Sequence, residues 1–388
     1  MVGLIWFLVL DIFLTKMLPR LAYFTAGKPV GNDAPCGRPE CDFSQFWPAG
    51  LLARAHQYST IYDPMAFWTA RRAIVSVAAG RIDWIYPPPM LMPAMLISYL
   101  PFEWGFLAWT LALTVAALGI LRWAGVSWPV AVIGLASPAA LWNLELGQVG
   151  SCTGALLLAG LLMGGRAPLR AGFLAGLLAL KPQVGLLLPA VFLARRWFAG
   201  ILGAIFAVAV VMLLTTLLMH RDVWAAYFAM RAQATGAILR APFALGYQQF
   251  GVSVFWMMRS FGAGVGASFA VQGVSSAASI AGAWWLWRDQ RLPLPQLAAL
   301  TVCLSLLATP YGFTYDMVAY SLALTMLAEA RGWRIDPLDA LAWLWPALCP
   351  VVVMRTGLLL TPLVVTMASG RIWWRASLVP RGSCPVAP

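Results

Sequence analysis

The sequence predicts an all-α, polytopic transmembrane protein, and three observations carry that reading. Of its 388 residues, 61% are hydrophobic and 10% are charged, with a mean hydropathy of +0.79. A soluble domain carries about 25% charged residues, so this chain lacks the charge to cover a soluble surface of its size. Its apolar blocks, such as 201–219 and 262–287, are long and nearly free of charge, and a span needs about 20 such residues. The blocks are continuously apolar rather than alternating, which favours helices over a barrel.

The elements follow in order. Block 2–18 reads as a first span, because it carries Asp11 and lacks both the basic start and the small-residue cleavage site of a signal peptide. Residues 20–87 read as the first extracytoplasmic loop. It holds turn signals at Gly27-Lys28-Pro29, Gly31-Asn32-Asp33 and Pro35-Cys36-Gly37. Two amphipathic segments in it, 43–58 and 64–79, interleave Phe46, Trp47, Phe67 and Trp68 with Arg54, Arg71 and Arg72, the pattern of interfacial helices. Tyr86-Pro87-Pro88-Pro89 opens the next apolar block, since proline is tolerated at a helix start. Block 171–194 is interrupted by Lys181-Pro182-Gln183. A charge beside a mid-block proline predicts a broken helix lining a cavity. Residues 220–260 are more polar and read as a second extramembrane element. The expectation is one integral membrane domain, 1–388, with about 10–13 membrane segments.

The net charge of +12 sits as short punctuation between blocks, at Arg166 and Arg170, Arg195-Arg196, Arg288 and Arg291, Arg331 and Arg334, and Arg371 and Arg375. That is the pattern of cytoplasmic loops; no basic stripe with interleaved polar residues suggests nucleic acid. Trp104, Trp197, Trp333, Trp373 and Trp374 lie at block ends, where aromatic belts form. Of the six cysteines, Cys152, Cys303 and Cys349 are isolated in apolar blocks and read as small hydrophobes, while Cys36 and Cys41 share one polar loop. With His56 and His220 the only histidines, no metal-ligand spacing exists, so neither a protein-held metal nor a cofactor is expected. The absence of a GxGxxG or P-loop lysine pattern argues against a nucleotide-driven pump, and the absence of an arginine series against a voltage sensor.

Polar residues within or beside a membrane are functional candidates, because burying them is costly. Four places concentrate them: Asp42 with Gln45 in Cys41-Asp42-Phe43-Ser44-Gln45; Asn143-Leu144-Glu145-Leu146-Gly147-Gln148; Lys181-Pro182-Gln183; and Thr309-Pro310-Tyr311-Gly312-Phe313-Thr314-Tyr315-Asp316. Each has a plainer reading. Asp42 would cap the helix that follows, Gln148 would satisfy loop backbone, Lys181 would snorkel to an interface, and Asp316 would pair with an arginine. Their joint topology weighs the other way. If the basic loops are cytoplasmic, Asp42, Gln148 and Asp316 fall on the opposite side, with Lys181 reaching toward them. A carboxylate beside a phosphate-binding cation suits group transfer from a lipid phosphate.

At these residues the chain resembles glycosyltransferase family 87, bacterial membrane proteins of the C-type glycosyltransferase architecture. The matching pieces run from Asp42-Phe43-Ser44-Gln45-Phe46-Trp47-Pro48-Ala49-Gly50 and Ile61-Tyr62-Asp63, through Tyr86-Pro87-Pro88-Pro89, Leu146-Gly147-Gln148 and Leu180-Lys181-Pro182-Gln183, to Ala308-Thr309-Pro310-Tyr311 and Tyr315-Asp316. The resemblance implies transfer of a sugar from a polyprenyl-phosphate donor to an envelope lipid or glycan acceptor, in the bacterial inner membrane with the active site facing the periplasm. It implies Asp42 as the general base, Lys181 at the donor phosphate, and Tyr86, Gln45, Gln148, Tyr311, Tyr315 and Asp316 lining the site. Some relatives carry a histidine in the last loop; this chain has Tyr315-Asp316 there. Cys36 and Cys41 would then lie in an oxidising compartment, where a disulfide would brace Asp42. Direct displacement by a base-activated hydroxyl would invert the anomeric centre. The competing classes are a secondary transporter or lipid carrier, which broken helices also suit, and a non-catalytic subunit of a polysaccharide assembly system.

Overall fold

A computed structural model describes residues 42–75, 82–244, 246–289 and 291–378. Every regular element among them is helical, and the one β-like feature is an isolated antiparallel bridge between Gly251 and Phe313. The expected first span 2–18 and the Cys36–Cys41 pair lie outside the described residues.

Three helices are long and apolar enough to cross a membrane unaided: Phe102–Trp123, Phe198–Met219 and Pro337–Thr356. Trp128–Leu135 and Pro138–Leu146 form a fourth span if their 55° bend is counted as one crossing. Other blocks that entered the count of membrane segments are shorter apolar helices, such as Gly150–Met163 and Leu294–Ala308. The local chemistry explains the division. Ser127 and Ser137 each cap a helix, accepting from Val130 N and Ala140 N, with a proline in the first turn of each. Proline fixes φ and removes a donor that a helix start does not need. The second helix of the pair stops at Gly147, whose φ of 66° is the left-handed conformation that glycine adopts freely.

Block 171–194 is broken as expected. It becomes Pro168–Gly176, two 3-10 turns at Leu177–Leu180 and Pro182–Gly185, and Leu188–Ala194. Lys181 between the turns is extended, with φ −146° and ψ 70°, because the ring of Pro182 disfavours the helical region for the residue before it.

Helix Phe198–Met219 divides its faces by size. Gly200, Gly203, Ala207, Val211 and Thr215 point inward, whereas Leu202, Phe206, Leu213 and Leu217 are exposed. The small residues allow close approach to Pro168–Gly176: a Cβ on Gly172 would lie 1.8 Å from the Gly200 carbonyl oxygen. Such stripes drive helix association in lipid, where burying leucine gains little. Trp104, Trp373 and Trp374 are exposed at helix ends, in keeping with an aromatic belt.

The segments expected to be interfacial do form helices, at Phe43–Arg54, Tyr58–Tyr62 and Pro64–Ile74. Their aromatics, however, turn inward. Phe43, Phe46 and Phe67 are fully buried in a cluster with Trp84, Tyr86, Phe106 and Trp109. Helix Phe43–Arg54 is buried on most of its surface, with nine of its 12 residues inside, and its aromatic cluster is shared with Trp84, Tyr86 and helix Phe102–Trp123.

Candidate active site

The cluster begins at the N-terminus of Phe43–Arg54. Asp42 occupies the cap position, yet its side chain makes no capping hydrogen bond. Its carboxylate instead accepts from Gln148 Nε2 at 2.9 Å, across 106 residues of sequence. The plain capping reading of Asp42 therefore fails: a group suited to a helix start is spent on a long-range contact. Gln148 does not serve loop backbone either. Its other amide atom, Oε1, accepts from the Tyr86 hydroxyl at 2.9 Å, so both ends of one buried amide are used.

Gln148 is aimed by the tight turn before it. The Gly147 carbonyl accepts from Trp109 Nε1 at 2.8 Å. A Cβ at Gly147 would press to 2.7 Å from Phe43 Cβ, so glycine is required for packing as well as for φ. Asn143 then ties the turn to the next helix, accepting from Ser151 N at 3.3 Å and donating to Ser151 Oγ at 3.1 Å.

The second half of the cluster comes from Lys181 and the last loop. Lys181 is buried and pairs through Nζ with Asp316 Oδ1, both side chains being at most 6% exposed. The ammonium also lies 4.8 Å from the centre of the Tyr315 ring. Lys181 therefore does not snorkel, and the partner of Asp316 is this lysine rather than an arginine. The other Asp316 oxygen accepts from Phe313 N at 3.2 Å, closing the turn Thr314–Met317. Neighbouring elements fix this turn and the helix end before it. Val252 N donates to Gly312 O at 3.0 Å. Ser275 and Ser276 satisfy the Leu307 and Ala308 carbonyls that helix Leu294–Ala308 leaves open. Gly150 lets the Tyr315 carbonyl approach so closely that a Cβ would sit 1.9 Å from its oxygen.

Electrostatics bind the two halves. The Asp42 residue is half-buried. Burial is the main influence on it and lifts its pKa from 3.8 to about 6, against the Gln148 hydrogen bond and the positive charges of Lys181 and Arg71. Burial likewise holds the Tyr86 and Tyr315 phenols protonated, with the Asp42 and Asp316 charges adding to the effect. A carboxylate near pKa 6 is a serviceable proton acceptor at neutral pH.

Of the sequence-predicted residues, Asp42, Tyr86, Gln148, Lys181, Tyr315 and Asp316 come together. Gln45 is buried one turn beyond Asp42. Tyr311 packs instead against the separate Phe255–Trp256–Val353–Leu359 cluster. Sequence reasoning missed Arg71, which had been placed at a lipid interface. It is 2% exposed and donates to Ser44 O at 2.9 Å and Ser44 Oγ at 2.7 Å, anchoring the residues after Asp42. The available signal was its spacing of four from Phe67, which puts both on one helix face. Among the described residues, no group of three metal-ligating side chains converges.

A sequence model of glycosyltransferase family 87 matches residues 84–310, more than half the chain. The match contains Tyr86, Gln148 and Lys181, while Asp42 precedes it and residues 311–316 follow it. No curated protein and no solved structure matches the chain.

Proposed function

The chain belongs to glycosyltransferase family 87 and is a membrane glycosyltransferase; from that premise we propose that it moves a sugar from a polyprenyl-phosphate donor to an envelope lipid or glycan, with Asp42 as the base. The observation that carries this reading is the diversion of Asp42 from its helix cap into a buried network with Gln148 and Tyr86.

In the proposed reaction the acceptor hydroxyl enters beside Asp42 and passes its proton to the carboxylate. The freed oxygen attacks the anomeric carbon as the bond from that carbon to the phosphate oxygen breaks. The polyprenyl phosphate leaves with the electron pair, and the anomeric centre inverts. No covalent sugar intermediate forms, so one carboxylate suffices.

Gln148 positions Asp42 and leaves one carboxylate oxygen for the acceptor. Lys181, with the Tyr315 hydroxyl, supplies positive charge and a donor toward the leaving phosphate, while the Tyr86 hydroxyl stays on Gln148. The phosphate would share Lys181 with Asp316, which keeps the site near neutral while it is empty. Gln45 lines the donor side of Asp42, and Tyr311 supports the last loop from behind. The site faces the periplasm of the bacterial inner membrane, opposite the arginine-rich loops.

The test is transfer of labelled sugar from a panel of polyprenyl-phosphate sugars by membranes containing wild type or Asp42→Asn. Donor turnover by wild type and its loss in the variant support the assignment. A carrier would instead move label across vesicles with the sugar–phosphate bond intact, and an assembly subunit would be indifferent to Asp42.

A further inference from the structure

A cavity of about 160 Å3 lies among the C-terminal end of Val318–Ala330, the start of Pro337–Thr356 and the end of Thr361–Ser377. It is well beyond the about 10–15 Å3 that one water requires. It is remote from the Asp42 cluster: Asp316 stands before the first residue of Val318–Ala330 and Arg331 follows its last, about 20 Å apart at 1.5 Å per residue.

One wall is charged. Arg331 donates to Asp339, Arg371 to Asp336 and Asp339, and Arg375 to both acids. Three guanidinium groups thus face two carboxylates, leaving one positive charge in excess. Each guanidinium carries five N–H donors, more than the two acids occupy. The Arg331 Nε is enclosed with no hydrogen-bond partner among the described residues, and so is Gln296 Oε1, whose residue also lines the cavity. The remaining lining is apolar, with Leu324, Leu327, Trp343 and Ile372. Outside it, Leu338, Leu341, Trp374 and Leu378 are exposed, as lipid-facing side chains are.

An unpaired donor, an unpaired acceptor, one excess positive charge and an apolar wall describe a specific ligand chemistry. We propose that this cavity is a second, non-catalytic site for a phosphate-bearing headgroup that also carries hydroxyl groups, as in phosphatidylglycerol. The phosphate would take the free arginine donors, a headgroup hydroxyl would donate to Gln296, and the acyl chains would follow the apolar wall into the bilayer.

The test uses the full chain purified in a neutral detergent. Retained lipid is read by native mass spectrometry, and the melting midpoint by the emission of its 20 tryptophans. Phosphatidylglycerol, phosphatidylcholine, phosphatidic acid, inorganic phosphate and glycerol phosphate are supplied separately. The expected result is retention of phosphatidylglycerol over phosphatidylcholine, with a midpoint raised by several degrees. Ala342→Leu and Ala376→Leu fill the cavity without touching the ion network and should weaken that retention at least tenfold. Arg371→Gln should weaken it similarly, and Gln296→Leu should erase the preference for phosphatidylglycerol over phosphatidic acid. If glycerol phosphate or inorganic phosphate alone raises the midpoint, and Ala376→Leu abolishes that rise, the site stands and its ligand is soluble. Equal retention of phosphatidylglycerol and phosphatidylcholine with no effect of either phosphate, or binding unchanged in both cavity-filling variants, overturns the proposal. None of these readouts depends on sugar transfer.

Discussion

Replacing Asp42 with asparagine separates activity from stability in a way the geometry makes quantitative. Asparagine keeps the shape of the side chain, and its oxygen can still accept from Gln148 Nε2. What it loses is the ability to take a proton. General-base catalysis contributes typically about 10²–10⁴-fold, so transfer should fall by that factor. Stability should move the other way. Burial raises Asp42 from its ordinary 3.8 to about 6. At about 1.36 kcal/mol per pH unit, keeping it ionised at neutral pH costs the fold at most about 3 kcal/mol, less the solvation that a half-buried residue retains. The sign follows from linkage. Below pH 3.8 the acid is protonated folded or unfolded and contributes nothing. As pH rises to 6, the unfolded chain releases a proton that the folded chain retains, so wild type loses stability. Above 6 the cost is complete. Asp42→Asn should therefore melt above wild type at pH 7.5, and the advantage should shrink as pH falls through 6 toward 4. Paired measurements of label transfer and tryptophan-monitored melting across that range provide the assay. A variant that keeps more than a tenth of wild-type transfer, or that melts well below wild type at pH 7.5, refutes the reasoning.

Other outcomes follow from the same contacts. Wild-type transfer should decline as pH falls through about 6, where Asp42 takes up its proton, and a profile flat to pH 5 would exclude it as the base. Gln148→Leu removes the hydrogen bond that restrains the Asp42 pKa and strands the buried Tyr86 hydroxyl; the acid limb should move above 6, with about 1–3 kcal/mol of stability lost in denaturation. Lys181→Met leaves Asp316 as an unpaired buried charge, costing about 3–5 kcal/mol. Adding Asp316→Asn should restore the melting midpoint but not sugar transfer, which separates the structural from the proposed phosphate role. Gly150→Ala forces a methyl group onto the Tyr315 carbonyl; it should cost about 1–3 kcal/mol by overpacking and reduce transfer by shifting the turn that carries Asp316.

The amino-acid sequence alone determined that this chain is a helical membrane protein, since composition and block length require neither partners nor geometry. It also determined where helices start and stop: Ser137-Pro138, Gly147 and Lys181-Pro182 act through φ and missing donors within a residue or two. The candidate residues were legible as polar interruptions, because an isolated charge in an apolar run demands a reason. Their partners were not. Read locally, Asp42 would cap a helix, against the site role its topology favoured, and Arg71 would lie at a lipid interface. The tertiary structure turns the Asp42 carboxylate from the cap to Gln148 and buries Arg71, because a contact across 106 residues depends on how Gly147 and Gly150 let neighbouring elements approach. Short apolar helices such as Gly150–Met163 and Leu294–Ala308 likewise share a buried core that no single block can declare. Local chemistry is encoded residue by residue; the pairing of Asp42 with Gln148, and of Lys181 with Asp316, exists only once the helices have packed.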